Sequence, residues 1–215
     1  LEGKDTFFLP FNLGHNYGAG NPPAAGDVRT TYLWHKALTR DSLMDILARF
    51  IHLDVEEKTV VTEKGIKRYR KESMIFPRYH QLDAVRALTD HAQAHGSGHN
   101  YLIQHSAGSG KSNSIAWLAH RLSSLHDASN EKIFHSVVVI TDRRVLDQQL
   151  QDTIFQFEHK LGVVQKIDEN TQQLAKALAD GVQGARAMAL RSGAPATLSA
   201  EDSPAALLIA GAGTR

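Results

Sequence analysis

The sequence predicts an α/β fold with a parallel sheet, preceded by a loop-rich and helical connector. From residue 100 onward, short apolar runs alternate with amphipathic helical segments, an order typical of parallel strands joined by crossover helices. The run at residues 137–141 (VVVIT) is almost wholly apolar, which indicates a strand covered on both faces. These two patterns place the sheet in the second half of the chain.

Composition limits the classes of protein. The 215 residues hold 24 Lys+Arg and 23 Asp+Glu, a net charge of +1, and 42% are hydrophobic. These values fit one or two globular domains and argue against a disordered, collagenous or membrane-embedded chain. With no signal or membrane-spanning pattern, we expect a cytoplasmic location. The absence of cysteine excludes disulfides, thiolate metal sites and cysteine nucleophiles.

Residues 1–55 are predicted to be a connector. The chain opens on Leu1 and a polar stretch, from which we expect an internal piece of a longer protein. Glycines and prolines punctuate residues 12–27, which predicts an ordered loop. A helix is predicted to begin near Asp41, which is a suitable N-cap residue. Its predicted apolar face consists of Leu43, Ile46, Leu47, Phe50 and Ile51.

Residues 56–75 form a charged segment that admits two interpretations. Its basic residues, counted together with Arg78, outnumber the acidic ones around them. It is either a solvated hairpin or linker, or a contact for the phosphate backbone of a nucleic acid. Composition does not choose between the two. The basic residues concerned are Lys64, Lys67, Arg68, Arg70, Lys71 and Arg78.

The strongest chemical signal is a glycine-rich loop in the middle of the chain. Residues 100–104 (NYLIQ) are predicted to be a strand, and residues 106–110 (SAGSG) a loop that leads through Lys111 and Ser112 into an amphipathic helix. Strand, glycine loop and helix is the order of the phosphate-binding loop. The helical face consists of Ile115, Leu118, Ala119, Leu122 and Leu125.

This pattern predicts a site for a nucleoside triphosphate. Backbone N–H groups at a helix N-terminus bind anionic oxygens, and Gly108 and Gly110 would let the loop curve. Lys111 would reach the β- and γ-phosphates, and the Ser112 hydroxyl would bind Mg²⁺. The alternative is a glycine turn with an incidental lysine, since His105 stands where the strict pattern has glycine. The predicted nucleotide contacts are Ser106, Ala107, Gly108, Ser109, Gly110, Lys111 and Ser112.

Hydrolysis of ATP by such a loop also requires an acidic pair that holds Mg²⁺ and positions water. The candidate pair is residues 168–169, an Asp and a Glu. The usual motif reads D-E-x-[HD], whereas Asn170 and Thr171 follow the pair here. We interpret this pair as the acidic start of a helix over residues 169–179. A strand at 162–165 and a helix at 144–157 are predicted before it.

Three segments together resemble the restriction (R) subunit of type I restriction-modification enzymes, a superfamily 2 helicase-like DNA translocase. They are residues 76–81 (FPRYHQ), 105–112 (HSAGSGKS) and 137–148 (VVVITDRRVLDQ). A helix is predicted after the first segment, through Ala84, Val85 and Leu88. Residues 7–12 (FFLPFN) also look like the family's join between nuclease and motor domains. The resemblance covers about residues 5–182.

The resemblance implies a domain plan and partners. Residues 1–55 would follow a nuclease domain, residues 56–75 would be a charged linker or hairpin, and residues 76–182 an incomplete first RecA-like motor domain. The intact enzyme would bind ATP, Mg²⁺ and DNA, associate with modification and specificity subunits, and couple translocation to DNA cleavage. The isolated chain would be inactive or a nucleotide-binding module only. A small-molecule kinase fits the loop but not the other two segments.

The resemblance also implies residue roles. Gln81 matches the family's adenine-reading glutamine, and its alternative role is a solvent-facing helix residue. Arg78 would contact nucleotide or DNA. Phe76 or Tyr79 would stack on the base or belong to the core. Arg143, Arg144 and Gln148 would face the DNA strand, or the two arginines would remain solvated in a loop.

Two further features leave alternatives open. Residues 183–215 contain 10 Ala and 4 Gly, and we interpret this tail as the product of a reading-frame change near Val182, or else as a divergent loop. His91, His95 and His99 are spaced by four, as metal ligands on a helix are. Because two glycines interrupt that helix, we favour exposed residues at a helix end.

Overall fold

The computed structural model describes residues 11–16, 20–62, 65–141, 150, 152–154, 156, 164–167, 172, 176, 186–191 and 206–211. The chain forms two compact units, Leu1–Leu82 and Asp83–Arg215. The boundary falls inside a helix, a few residues after the predicted domain start at residue 76. The first part of that helix therefore belongs to the connector unit.

The described residues of the first unit open with loops and a short π-helical turn, Leu33–Ala37, followed by α1, Arg40–Arg49. The predicted N-cap at Asp41 is wrong. Thr39 has the extended backbone of an N-cap residue, and its carbonyl accepts the first helical hydrogen bond, from Leu43 N–H at 2.8 Å. Asp41 lies in the first turn instead, where a carboxylate still favours the helix dipole.

Only part of the predicted apolar face of α1 is buried. Ile46 and Phe50 are fully enclosed, whereas Leu43 and Leu47 are exposed. Leu33 and Ala37 complete the buried cluster from the π-helical turn. The spacing therefore predicts the helix correctly but overestimates how much of it is covered.

The charged segment is a β-hairpin. Strand β1 is His52–Thr62 and strand β2 is Gly65–Ile75, and they pair antiparallel. The register runs without a bulge from His52↔Ile75 to Thr62↔Gly65. Of the two structural forms predicted for this segment, hairpin or linker, the hairpin is therefore the observed one.

Helix α2, Tyr79–His95, follows the hairpin, and helix α3, Lys111–Ser123, follows the glycine loop. Both helices were predicted. The predicted inner face of α3 is buried at Leu118, Ala119 and Leu122. Trp117 adds the largest fully buried side chain of the described chain.

Strand β3, Ser136–Thr141, confirms the predicted strand at residues 137–141. Val137, Val138 and Val139 are all buried. Successive side chains of a strand point to opposite faces, so both faces of β3 are covered. It lies inside a four-stranded sheet in the order β4-β5-β3-β6, in which every pairing is parallel.

The other strands of this sheet come from later parts of the chain. They are β4, Val164–Ile167, β5, Arg186–Arg191, and β6, Ala206–Gly211. Strand β4 lies two residues after the predicted strand at 162–165. Strands β5 and β6 both fall within residues 183–215, the segment interpreted as an altered tail. Whether this sheet is that of a RecA-like domain stays a prediction.

The predicted strand at residues 100–104 is wrong. These residues have no regular secondary structure, and Leu102 is 92% exposed. Backbone N–H and C=O groups form a strand only when a neighbouring strand pairs with them. Within the described residues, no strand pairs with this segment.

Several predicted elements lie largely outside the described residues. Of the predicted helix at 144–157, the helical residues described include Leu150 and Ile154, which are buried as predicted. Of the helix at 169–179, only Gln172 and Lys176 are described, and residues 168–169 are not. Among the described helices, none has the length and apolar character needed to cross a membrane.

Candidate nucleotide-binding site

Two glycines give the loop its shape. Gly108 has φ +72° and Gly110 has φ +81° and ψ +35°, both in the left-handed region that residues with a side chain avoid. A Cβ at Gly108 would meet no atom within 4 Å, so the backbone conformation, not space, requires glycine there. The predicted curvature of the loop at these two glycines is confirmed.

The second glycine also begins the helix. Gly110 is the N-cap of α3, and its carbonyl accepts hydrogen bonds from Asn113 and Ser114 at 3.1 and 3.3 Å. The first turn of α3 contains no acidic residue. The first N–H groups of a helix have no partner within it, and the helix dipole makes this end positive. The end of α3 that faces the loop is therefore suited to an anion.

Lys111 folds back over the loop. Its Nζ donates hydrogen bonds to the carbonyl oxygens of His105 at 3.0 Å and Ser106 at 2.8 Å. The N–H of Ser109 bonds to the same Ser106 carbonyl at 3.4 Å. The lysine ammonium is thus held across the loop by main-chain oxygens, and those two bonds use two of its three donors.

The remaining loop residues differ in exposure. Ser106 and Ala107 are exposed, Ser112 is half-buried in the first turn of α3, and Ser109 is buried. A serine hydroxyl is a hard oxygen of the kind that Mg²⁺ accepts, so Ser112 fits the predicted role. No group of three His, Cys, Asp or Glu side chains among the described residues could hold a metal ion.

Gln81 is buried, with only 3% of its surface exposed, so the alternative of a solvent-facing helix residue is wrong. Its Oε1 accepts a 2.9 Å hydrogen bond from the backbone N–H of Arg78. Gln81 is the third residue of α2 and Arg78 precedes its first, so this is a capping-box bond. The Arg78 side chain itself is exposed.

Phe76 and Tyr79 lie in aromatic pairs within the first unit. Phe76 meets Phe11 edge-to-face with ring centroids 5.3 Å apart, and Tyr79 meets Tyr32 in the same way at 5.6 Å. Such pairs add stability beyond the burial of area. Of the two roles predicted for these rings, the core role is the one with contacts in the structure.

The three histidines spaced by four lie together at the end of α2. The His91 ring stacks on His95 with centroids 4.1 Å apart and meets His99 edge-on at 5.1 Å. His91 Nδ1 also lies 2.8 Å from the Tyr101 hydroxyl. Helix α2 ends at His95, and His95 and His99 are exposed as predicted. Burial, followed by the neighbouring charges of His95 and His99, lowers the pKa of His91.

The predicted DNA-facing residues Arg143, Arg144 and Gln148 lie outside the described residues. Their role stays a prediction. The Lys111 bonds to the loop and the burial of Gln81 were not foreseen, because nothing in a linear pattern specifies which carbonyls a lysine reaches. The Gln81 cap, by contrast, has a sequence signal, a glutamine at the third position of a predicted helix.

Comparison with models of protein families gives a match. The family model described as SWI2/SNF2 ATPase matches residues 80–190, just over half of the chain. The match includes Gln81, the whole glycine loop, α3 and β3, and it runs past Val182 into β5. No curated protein and no solved structure matches.

Proposed function

Because the chain belongs to the SWI2/SNF2 ATPase family, we propose that it binds ATP at residues 106–112 and is part of a DNA translocase. The family match supports a helicase-like superfamily 2 ATPase and implies ATP as its ligand. The observation that carries the position of the site is Lys111, whose ammonium is folded over a loop with two left-handed glycines at a helix N-terminus.

The loop geometry supports a simple binding step. The main-chain N–H groups at the start of α3 would donate to phosphate oxygens. Lys111 would exchange its two carbonyl acceptors for the β- and γ-phosphates, which are stronger partners because they are charged. Ser112 would hold Mg²⁺, which neutralises charge on the transferring phosphoryl group when bound.

We further propose that this translocase is the R subunit of a type I restriction enzyme. This proposal rests on the resemblance of residues 76–81, 105–112 and 137–148. In that setting Gln81 would read adenine, and Arg143, Arg144 and Gln148 would contact the DNA backbone. The modification and specificity subunits would be the partners, and DNA cleavage would belong to a nuclease domain outside residues 1–215.

ATP binding tests the site directly. Labelled ATP with Mg²⁺ is titrated into the 215-residue chain, into Lys111→Ala and into Lys176→Ala, which removes an exposed lysine elsewhere in the second unit. We expect Lys111→Ala to weaken binding at least about tenfold and Lys176→Ala to leave it unchanged, since a charged hydrogen bond contributes about 1.5–3 kcal/mol. Equal affinity in all three proteins would refute the site.

The R-subunit assignment needs a separate test. The assembly with modification and specificity subunits should hydrolyse ATP on unmodified DNA but not on modified DNA. Lys111→Ala should abolish that turnover, while Lys176→Ala should not. Turnover that is independent of DNA modification would reject the type I assignment and leave the ATPase assignment standing.

A second candidate function is a nucleotide-binding module that does not hydrolyse ATP. It is favoured by one sequence observation, the unusual continuation after the acidic pair at 168–169. Hydrolysis needs an acidic pair to position water and metal, whereas binding does not. ATP that binds with Mg²⁺ and stays intact in the presence of DNA would support this module.

A further inference from the structure

The hairpin of β1 and β2 is a long ribbon. Each strand has 11 residues, and at about 3.4 Å per residue the ribbon extends roughly 35 Å. Among the described residues, its sheet contains these two strands alone. A two-stranded ribbon in water is only marginally stable without further packing. Its surface is therefore a candidate for contact with a partner.

In the middle of the ribbon, two acidic residues of β1 face two basic residues of β2. Glu57 pairs in register with Arg70, and Glu56 with Lys71. Opposite charges at facing positions stabilise a sheet. Arg70 Nε also lies 3.1 Å from a Glu72 carboxylate oxygen. These basic residues thus serve the hairpin itself.

The distal part of the ribbon is different. We define the hairpin tip as residues 58–62 and 65–69, which contain three basic residues and no acidic one. Lys58 faces Tyr69, Thr59 faces Arg68, and Val60 faces Lys67, so no carboxylate stands opposite any of the three cations. Residues 63–64, a Glu and a Lys, add no net charge.

The arrangement of the hairpin tip places cations on both faces. Positions alternate between faces along a strand, so Lys58, Lys67 and Tyr69 share one face and Arg68 lies on the other. Arg68 and Tyr69 are exposed, and the neighbouring Ile66 is 71% exposed. The tip therefore combines an excess of basic residues with an exposed aromatic ring, Tyr69.

We propose that the hairpin tip binds the phosphate backbone of double-stranded DNA. Lysine and arginine displace counterions from DNA phosphates, and a two-stranded β-ribbon fits the major groove. Contacts of this kind hold the protein on the duplex without reading its sequence. The choice of DNA as the partner rests on the proposed translocase function. The choice of the tip rests on the positions of its basic residues, which face no acidic residue across the two strands.

The test measures duplex binding by the 215-residue chain without nucleotide. A labelled duplex is titrated over a series of salt concentrations by fluorescence anisotropy. The tip variant carries Lys58→Gln, Lys67→Gln and Arg68→Gln. The control carries Lys36→Gln, Arg40→Gln and Arg49→Gln, which removes the same charge from exposed positions in the same unit.

We expect the tip variant to lose at least about tenfold in affinity, and its salt dependence to become shallower by about 0.9 in log–log slope for each lost phosphate contact. The control should keep the slope of the unaltered chain. Equal losses in the two variants would show that total charge, not the hairpin tip, governs binding, and would overturn the proposal. Absence of duplex binding by the unaltered chain would overturn it as well.

A second measurement does not depend on the folding of the triple variant. The chain has no cysteine, so Ile66→Cys and Met44→Cys each accept one photo-crosslinker. Met44 is 59% exposed on α1 and serves as the control position. Crosslinks to the duplex should form from position 66 and not from position 44. Equal yields from both positions would reject the tip as the site, and preferential crosslinking to single-stranded DNA would reject the duplex.

These outcomes are separable from failure of the ATP site. Lys111→Ala should bind the duplex normally without nucleotide, because it lies outside the hairpin. Loss of ATP binding in that variant with an intact tip contact supports both proposals. If ATP binds normally but the tip substitutions do not change duplex binding, the proposed DNA contact of the hairpin tip is refuted and the ATP site is not. If the tip contacts DNA but the chain never binds ATP, only the proposed function is refuted.

Discussion

The backbone N–H of Arg78 donates a 2.9 Å hydrogen bond to the side-chain Oε1 of Gln81. This bond satisfies a donor at the start of α2 and fixes the Gln81 side chain in a buried position. The proposed adenine-reading residue is thus also a structural cap.

Replacement of Gln81 should separate these two roles. Gln81→Ala removes the cap and should lower the free energy of unfolding by about 1 kcal/mol. Gln81→Glu keeps an acceptor for Arg78 N–H but removes the amide donor and places a carboxylate at a buried position, so it should lose preference for ATP over GTP and should also cost stability. Urea unfolding and competition binding measure the two effects. Unchanged nucleotide preference in Gln81→Glu would contradict the adenine role.

The Lys111 bonds should stabilise the loop when nucleotide is absent. Lys111→Met keeps the aliphatic chain but removes both hydrogen bonds to the carbonyls of His105 and Ser106. We expect faster hydrogen exchange of the loop amides and a loss of about 1–2 kcal/mol in the free energy of unfolding. Lys176→Met is the matched control. Identical exchange in the loop of Lys111→Met and the unaltered chain would show that these bonds are not formed in solution.

A side chain at position 110 should lower the stability of the protein. The left-handed backbone of Gly110 costs a residue with Cβ about 1–2 kcal/mol, so Gly110→Ala should lower stability by about that amount. Gly110→Asn should lower it less, because asparagine enters this region more readily. Thermal unfolding of the two variants measures the difference. Equal stability of Gly110→Ala and the unaltered chain would contradict the observed loop conformation.

The histidine cluster should make stability depend on pH. Burial and the facing groups His95 and His99 lower the pKa of His91 below the value of about 6.5 expected when unfolded. The unfolded chain then binds more protons, so stability rises with pH. The stabilising contribution is complete above about pH 6.5 and is lost as pH falls through the lower, folded pKa.

The variant His91→Gln should remove that part of the pH dependence. Tyr101→Phe, which deletes the hydroxyl 2.8 Å from His91 Nδ1, tests whether the contact also matters. Urea unfolding between about pH 5 and 7.5, from about 1.5 units below to about one unit above the reference pKa, measures the slope. A slope that is the same with and without His91 would assign the pH dependence to other groups.

The sequence by itself determined the features that depend on local backbone chemistry. Left-handed turns favour glycine, so Gly108 and Gly110 could be predicted as the points where the loop curves. The apolar run at 137–141 could be predicted as a doubly covered strand, because a strand with both faces buried has no polar alternation. Helices α2 and α3 followed from their periodicity.

Only the tertiary structure decided the features that need a partner distant in sequence. Residues 100–104 have the composition of a strand, but a strand exists only where another strand pairs with it. The burial of Gln81, the core contacts of Phe76 and Tyr79, and the pairing of β3 with β5 and β6 depend in the same way on packing. The positions of the basic residues in the hairpin tip likewise depend on the register of the two strands, which sets which residues face each other.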